Sequence, residues 1–215
     1  MHLILVGDST LDNVEYTYKR KGPCVTDHID SRLGEGSTVS LLAVDGHTTH
    51  GVAAQLKKMP STATHLVLSV GGNDALGHIG MFHRPEVVMD MAGAVNELTD
   101  RLDEFQKDYR ACLDQVLAHE LPTLVCTIYN GDFPDPLERR VLTTTVRLFD
   151  DVIMQCAFDA GCPVVDLRRV CTDPADYFNP IEPNEHGGKK IAAAILSALE
   201  PDRSSISYVH PSGEG

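Results

Sequence analysis

Three short polar stretches, Gly7-Asp8-Ser9-Thr10, Asp45-Gly46-His47 and Gly71-Gly72-Asn73-Asp74, each follow an apolar run in the first third of the chain. Acyl transfer needs a hydroxyl nucleophile, a base to take its proton, and donors aimed at the oxyanion that develops on the attacked carbonyl oxygen. Ser9 sits where an extended run gives way to a turn and can supply the hydroxyl. The Ser9 N–H, the Gly46 N–H (with no Cβ in the way) and the Asn73 side-chain amide can supply the donors. Each residue also has a plainer reading: Ser9 or Asp8 as a helix cap, Gly46 as a turn glycine, Asn73 as a turn or cap residue. Their shared position after three successive apolar runs favours the chemical one.

The elements that would position these turns follow from the hydropathy pattern. Five short apolar runs, Leu3 to Val6, Val39 to Val44, His65 to Val70, Thr123 to Tyr129 and Pro163 to Leu167, suit strands buried on both faces. Met91, Val95, Leu98, Leu102, Phe105, Tyr109, Cys112 and Val116 recur at steps of four and three, predicting a long amphipathic helix before Pro122. Leu142, Val146, Phe149, Ile153 and Cys156 predict a second helix stopped by Gly161, and Ile191, Ile195 and Leu199 a third before Pro201. A short helix is expected around Val25 to Leu33, in a segment folding over the end of the first strand. Strands alternating with helices imply βαβ crossovers and an α/β doubly wound parallel sheet, whose ligand sites lie beyond the carboxyl ends of the strands. No linker or repeat divides the chain, so residues 1–200 are expected to form one domain and residues 201–215 a mobile tail.

Bulk properties narrow the partners. The 215 residues are 42% hydrophobic, enough for one sizeable core. Eighteen basic against 31 acidic side chains give a formal charge of -13, which repels phosphate backbones and anionic membranes and argues against a nucleic-acid partner. Met1 to Gly7 is apolar but lacks the basic leader and cleavage site of a signal peptide, and no run approaches the ~20 residues of a membrane span. Six cysteines without a CxxC pair read as free buried thiols, pointing to a reduced, cytoplasmic setting. Ten histidines show no ligand-like spacing to a cysteine pair, so neither a metal nor another cofactor is expected. Neither GxGxxG nor GxxxxGK[ST] follows a strand, which weighs against a nucleotide-binding domain on the same sheet. The oligomeric expectation is a monomer or homodimer.

With Gly7-Asp8-Ser9 as a first block, Gly46 as a second-block glycine and Gly71-Gly72-Asn73-Asp74 as a third, the sequence resembles the GDSL/SGNH hydrolase superfamily across nearly its whole length. The resemblance implies a flavodoxin-like three-layer sandwich on a five-stranded parallel sheet. It also implies a small-molecule ester as substrate, Ser9 as nucleophile, and an oxyanion hole from the Ser9 N–H, the Gly46 N–H and Asn73. Asp12 matches the Gly-Asp-Ser-x-x-Asp-Asn form of the first block and is expected to brace its loop.

The last block departs from the family. An Asp-x-x-His is expected ahead of the final helix, whereas the segment reads Asn179-Pro180-Ile181-Glu182-Pro183-Asn184-Glu185-His186-Gly187-Gly188, which puts Asn179 at the Asp position and Glu182 at the His position. Two rescues stand open. His186 could serve as base, oriented by Glu182 four residues earlier on one helix face; or Glu182 itself could be the base, provided burial raises its pKa toward neutrality. Asp166 and Asp173 are weaker candidates to orient an imidazole, and His47, His50, His78 and His83 lie near the crevice as candidate substrate contacts. The alternative to a serine esterase is a protein of the same fold that binds a small molecule without efficient turnover.

Overall fold

The computed structural model describes residues 1–78 and 91–200; His83 and the expected tail at 201–215 lie outside them. The five apolar runs form β1 (His2–Gly7), β2 (Thr38–Leu41), β3 (His65–Ser69), β4 (Thr123–Cys126) and β5 (Val164–Val165). They pair in parallel in the order β2-β1-β3-β4-β5. Because β1 runs to β2 on one side and the later strands continue on the other, the order reverses at the β1/β3 junction, where a doubly wound sheet opens a crevice. Register places Gly7 opposite Ser69 at that junction.

Alternation along the strands divides the core in two. Ile4, Val6, Leu66 and Leu68 pack with Phe105, Tyr109 and Phe149 from α4 (Met91–Leu117) and α5 (Pro136–Asp159). Leu3, Leu5, Val67 and Leu124 pack with Val25, Ile29, Ile191 and Ile195 from α1 (Val25–Asp30) and α6 (Glu185–Leu199). Each of these side chains is essentially inaccessible to solvent and contributes about 1.5–3 kcal/mol through burial. The result is an α/β sandwich of three layers. Two short helices, α2 (Val52–Leu56) and α3 (Gly72–His78), complete the loops after β2 and β3.

Boundaries shift from the sequence reading for local reasons. The second predicted helix, α5, starts at Pro136, before its first apolar position, because Asp135 caps it by accepting from Glu138 N at 2.7 Å and Pro136 opens its first turn. The apolar stripe of α4 is buried only from Phe105 onward, with Met91 81% and Val95 57% exposed. The fourth run leaves the sheet after Cys126, and Thr127 to Gly131 instead line a cavity. An unanticipated antiparallel pair, β6 (Tyr177–Asn179) and β7 (Glu182–Pro183), precedes α6.

Candidate active site

Gly7 ends β1 with φ 139°, and a Cβ there would collide with the carbonyl oxygen of Ser69 on β3. Glycine therefore lets the two strands converge while the chain turns. Gln55 clamps both backbone groups of Gly7, accepting from its N at 2.8 Å and donating to its O at 2.7 Å. The Asp8 carbonyl then accepts from Leu11 N and Asp12 N, both at 3.1 Å. Ser9 is thus held at the tip of a tight turn, largely shielded from bulk water.

The other two turns are laced to the first. Asn73 Nδ2 donates to His47 O at 2.9 Å, while Asp74 accepts from Thr49 N at 3.1 Å and Thr49 Oγ1 at 2.7 Å. Asp12, expected to brace its loop, accepts from Asp45 N at 3.1 Å. Tyr16 donates to Asp45 Oδ2 at 2.7 Å. Gly46 adopts φ 77°, a conformation that favours glycine. Among the described residues the N–H groups of Ser9 and Gly46 form no hydrogen bond, and Asn73 has committed one of its two amide hydrogens. Donors remain free in these turns.

The β6–β7 hairpin delivers Glu182. Asn179 Oδ1 accepts from Ile181 N and Glu182 N, both at 2.9 Å, closing the turn. Asn13, fully buried, donates from Nδ2 to Pro183 O at 3.2 Å and accepts at Oδ1 from Val25 N at 2.9 Å, fastening the hairpin to the first block and to α1. Glu182 is only 7% exposed, its Oε2 has no hydrogen-bond partner among the described residues, and burial pushes its carboxyl up to about 7. The Ser9 hydroxyl works against that rise, while the charges of Asp45 and Asp8 add to it. Asp8 is buried as well and pushed up to about 7, chiefly by desolvation and against the hydrogen bond from Thr10.

Ser9, Asn73 and Glu182 line one cavity that encloses about 690 Å³ including its open mouth. Gly46 and His186 are not among its lining residues. The two rescues for the last block separate here. Asn184 caps α6 by accepting from His186 N at 2.8 Å and Gly187 N at 3.2 Å, so the helix begins at Glu185 and Glu182 belongs to a strand. The shared helix face that would let Glu182 orient His186 does not form, and His186 is exposed.

The weaker candidates are occupied elsewhere. Asp166 is gripped by Arg168 Nε at 2.7 Å and Nη2 at 2.8 Å, and Asp173 caps a turn by accepting from Ala175 N at 2.9 Å. His47 lies 3.0 Å from Gln55 Nε2, His50 is exposed beside Asp108, and His78 stacks on Phe149. Two positions that hold the site, Gln55 and Asn13, were not read from the sequence. Gln55 carries no local signal, whereas Asn13 stood inside the quoted first-block form. Among the described residues no group of three or more His, Cys, Asp or Glu side chains is placed to hold a metal ion, and no helix is long and apolar enough to cross a membrane.

Comparison with known proteins gives a consistent result. The model of the GDSL-like Lipase/Acylhydrolase family matches residues 5–215. No curated protein matches the chain in sequence. An extracellular lipase from Streptomyces rimosus superposes with a TM-score of 0.68 at 19% identity, covering 93% of this chain and 100% of that one. Phospholipase A1 from Streptomyces albidoflavus NA297 gives a TM-score of 0.70 at 15% identity, covering 92% and 99%. A mutant of an acetyl-xylooligosaccharide esterase from Geobacillus Stearmophilus gives 0.63 at 16% identity, covering 94% and 96%. At these identities the structural likeness speaks for the fold.

Proposed function

The chain belongs to the GDSL-like lipase/acylhydrolase family, and from that premise we propose that it is a serine esterase in which Glu182 replaces histidine as general base. The observation that carries this reading is the buried Glu182 carboxyl beside the Ser9 hydroxyl in one cavity, with its pKa pushed to about 7. A carboxylate poised near neutrality takes a proton far better than one at its ordinary value of 4.5.

In the first step Ser9 Oγ attacks the ester carbonyl carbon as its proton passes to Glu182. The negative charge on the former carbonyl oxygen is met by the Ser9 N–H, the Gly46 N–H and the uncommitted Asn73 amide hydrogen. Collapse breaks the bond to the alcohol oxygen, which takes the proton from Glu182, leaving an ester on Ser9. Water then attacks this acyl-enzyme, gives its proton to Glu182, and Ser9 recovers that proton as the carboxylic acid departs. His186 has no part in the cycle.

The test is p-nitrophenyl acetate hydrolysis slightly above neutral pH by the wild type and by Ser9→Ala prepared in parallel. Turnover confined to the wild type supports the reading. Equal inactivity of the two proteins would replace it with a binding role for the cleft.

A further inference from the structure

Packing does not hold Gly46 in place. It is exposed, a Cβ built on it would meet nothing within 4 Å among the described residues, and glycine has the freest backbone of any residue. Its N–H lies in the peptide plane that joins it to Asp45, so the way Asp45 is held decides where that N–H points. Asp45 is fixed twice: its N donates to Asp12 Oδ2 at 3.1 Å, and its Oδ2 accepts from the Tyr16 hydroxyl at 2.7 Å. Both partners come from one stretch, Asp12 to Tyr16, just after the nucleophile turn. A 3₁₀ turn over Val14–Tyr16 has three residues per turn and sets Asn13 and Tyr16 on one side. From there Asn13 donates to Pro183 O at 3.2 Å, and the Tyr16 ring lies against Phe178 of β6 with centroids 6.0 Å apart. Phe178 adjoins Asn179, which pairs with Glu182 across the hairpin. Tyr16 therefore meets the turn that carries Gly46 with its hydroxyl and the hairpin that carries Glu182 with its ring.

We propose that Tyr16 is a positioning residue for acyl transfer: braced on Phe178, its hydroxyl holds Asp45 and thereby aims the Gly46 N–H at the oxyanion; the proposal rests on the serine-esterase reading. Burial raises the Tyr16 phenol above its ordinary value, and the bond to Asp45 and the charges of Glu182, Asp45 and Asp12 add to the rise. The hydroxyl therefore keeps its proton and remains a donor across the neutral and mildly alkaline range. A bond to a charged acceptor is among the stronger hydrogen bonds, and phenylalanine deletes it while keeping the ring. Removing an oxyanion donor outright costs about 10²–10³ in kcat, and leaving it present but free to turn should cost about tenfold. KM should hold within about twofold, because the donor meets charge that develops only in the transition state.

The experiment measures kcat and KM of wild type, Tyr16→Phe, Asp45→Ala and the double variant on p-nitrophenyl acetate and on its thiono analogue, in which sulfur replaces the carbonyl oxygen. Sulfur is larger and accepts hydrogen bonds weakly, so an aimed donor favours the oxygen ester and a loosened one favours it less. In Tyr16→Phe the expected result is a kcat for the oxygen ester lowered about tenfold at unchanged KM, with the oxygen-to-sulfur ratio of kcat/KM lowered by a similar factor. Adding Tyr16→Phe to Asp45→Ala should cost less than about twofold, since the bond is already gone. Wild-type kcat in Tyr16→Phe, a constant ratio while kcat falls, or full additivity of the two changes overturns the proposal and leaves the esterase reading standing. Inactivity of the wild type itself, equal to that of Ser9→Ala, sinks the esterase reading instead, and the brace is then read from the backbone. The ¹⁵N order parameter of the Gly46 amide should fall from about 0.85 in the wild type to below about 0.6 in Tyr16→Phe. An unchanged order parameter overturns the brace whether or not an ester is turned over.

Discussion

Replacing Glu182 with glutamine should destroy activity and stabilise the fold, and the stabilisation should depend on pH. Below about pH 4 the carboxyl is neutral in both the folded and unfolded chain and contributes nothing to the balance. As pH rises from there to about 7, the unfolded chain gives up this proton while the folded chain keeps it, so stability falls across that window and levels off above it. At about 1.4 kcal/mol per pH unit, the rise from 4.5 to about 7 amounts to about 3 kcal/mol at most. Glutamine removes that penalty, which is already net of the Ser9 hydrogen bond. Glu182→Gln should therefore be up to about 3 kcal/mol more stable than wild type near pH 8, raising Tm by about 6–12 °C. Near pH 5, where the folded carboxyl still holds its proton, the penalty is about 1 kcal/mol and the two proteins should melt about 2–4 °C apart. Asp150, also pushed up to about 7 by burial, titrates in both proteins and cancels from the difference, whereas Asp8, whose charge helps raise Glu182, loses that repulsion in the variant and adds to its advantage above neutral pH. Thermal melts at the two pH values, with p-nitrophenyl acetate kinetics on the same samples, read both effects. A Tm difference that does not change with pH, or kcat/KM lowered by less than about tenfold when a general base should be worth about 10²–10⁴, would refute the reasoning.

Two further substitutions probe the parts around this carboxyl. His186→Ala should leave kcat/KM within about twofold of wild type, because the imidazole is exposed outside the cavity and only its backbone N is engaged at the helix cap; a loss of a hundredfold would restore histidine as the base. Asn13→Ala removes the donor to Pro183 O and leaves Val25 N without its acceptor, costing about 2–4 kcal/mol in urea denaturation. It should also lower kcat more than it raises KM, by about a hundredfold if the hairpin drifts by about 1 Å. Wild-type kcat in a destabilised Asn13→Ala would show that the hairpin keeps its place without this bond.

What the sequence made legible is what repeats or has an extreme conformation. Burial of Leu3 to Val6 and Leu66 to Leu68 between two helix layers is written in uninterrupted apolar runs, and a doubly wound parallel sheet follows from their alternation with helices, whereas the strand order is a finding of the structure. Gly7 and Gly46 were readable because positive φ leaves few alternatives to glycine, reinforced at Gly7 by the close approach of the Ser69 backbone. Less legible were features set by a single long-range contact. Gln55 reaches across 48 residues to clamp Gly7, and nothing near either position announces it.

The last block shows why register alone could not choose between its two rescues. Treating Glu182 and His186 as helix neighbours requires the helix to start before Glu182, and the residues that forbid this are Pro183 and Asn184. Pro183 has no N–H to offer and disfavours a helical conformation at the residue before it. Asn184 accepts from the first free N–H groups of α6, which fixes the helix start one residue later. The cap that pushes His186 onto the exposed first turn thereby leaves Glu182 in the extended strand that enters the cavity. Asn13 then ties that strand to the turn carrying Ser9, so the capping pattern at Asn184 and the first-block asparagine together place Glu182 rather than His186 at the cavity. On the reading proposed above, the departure at the last block is a substitution of the base within a retained frame, and the glutamine variant is expected to trade turnover for stability.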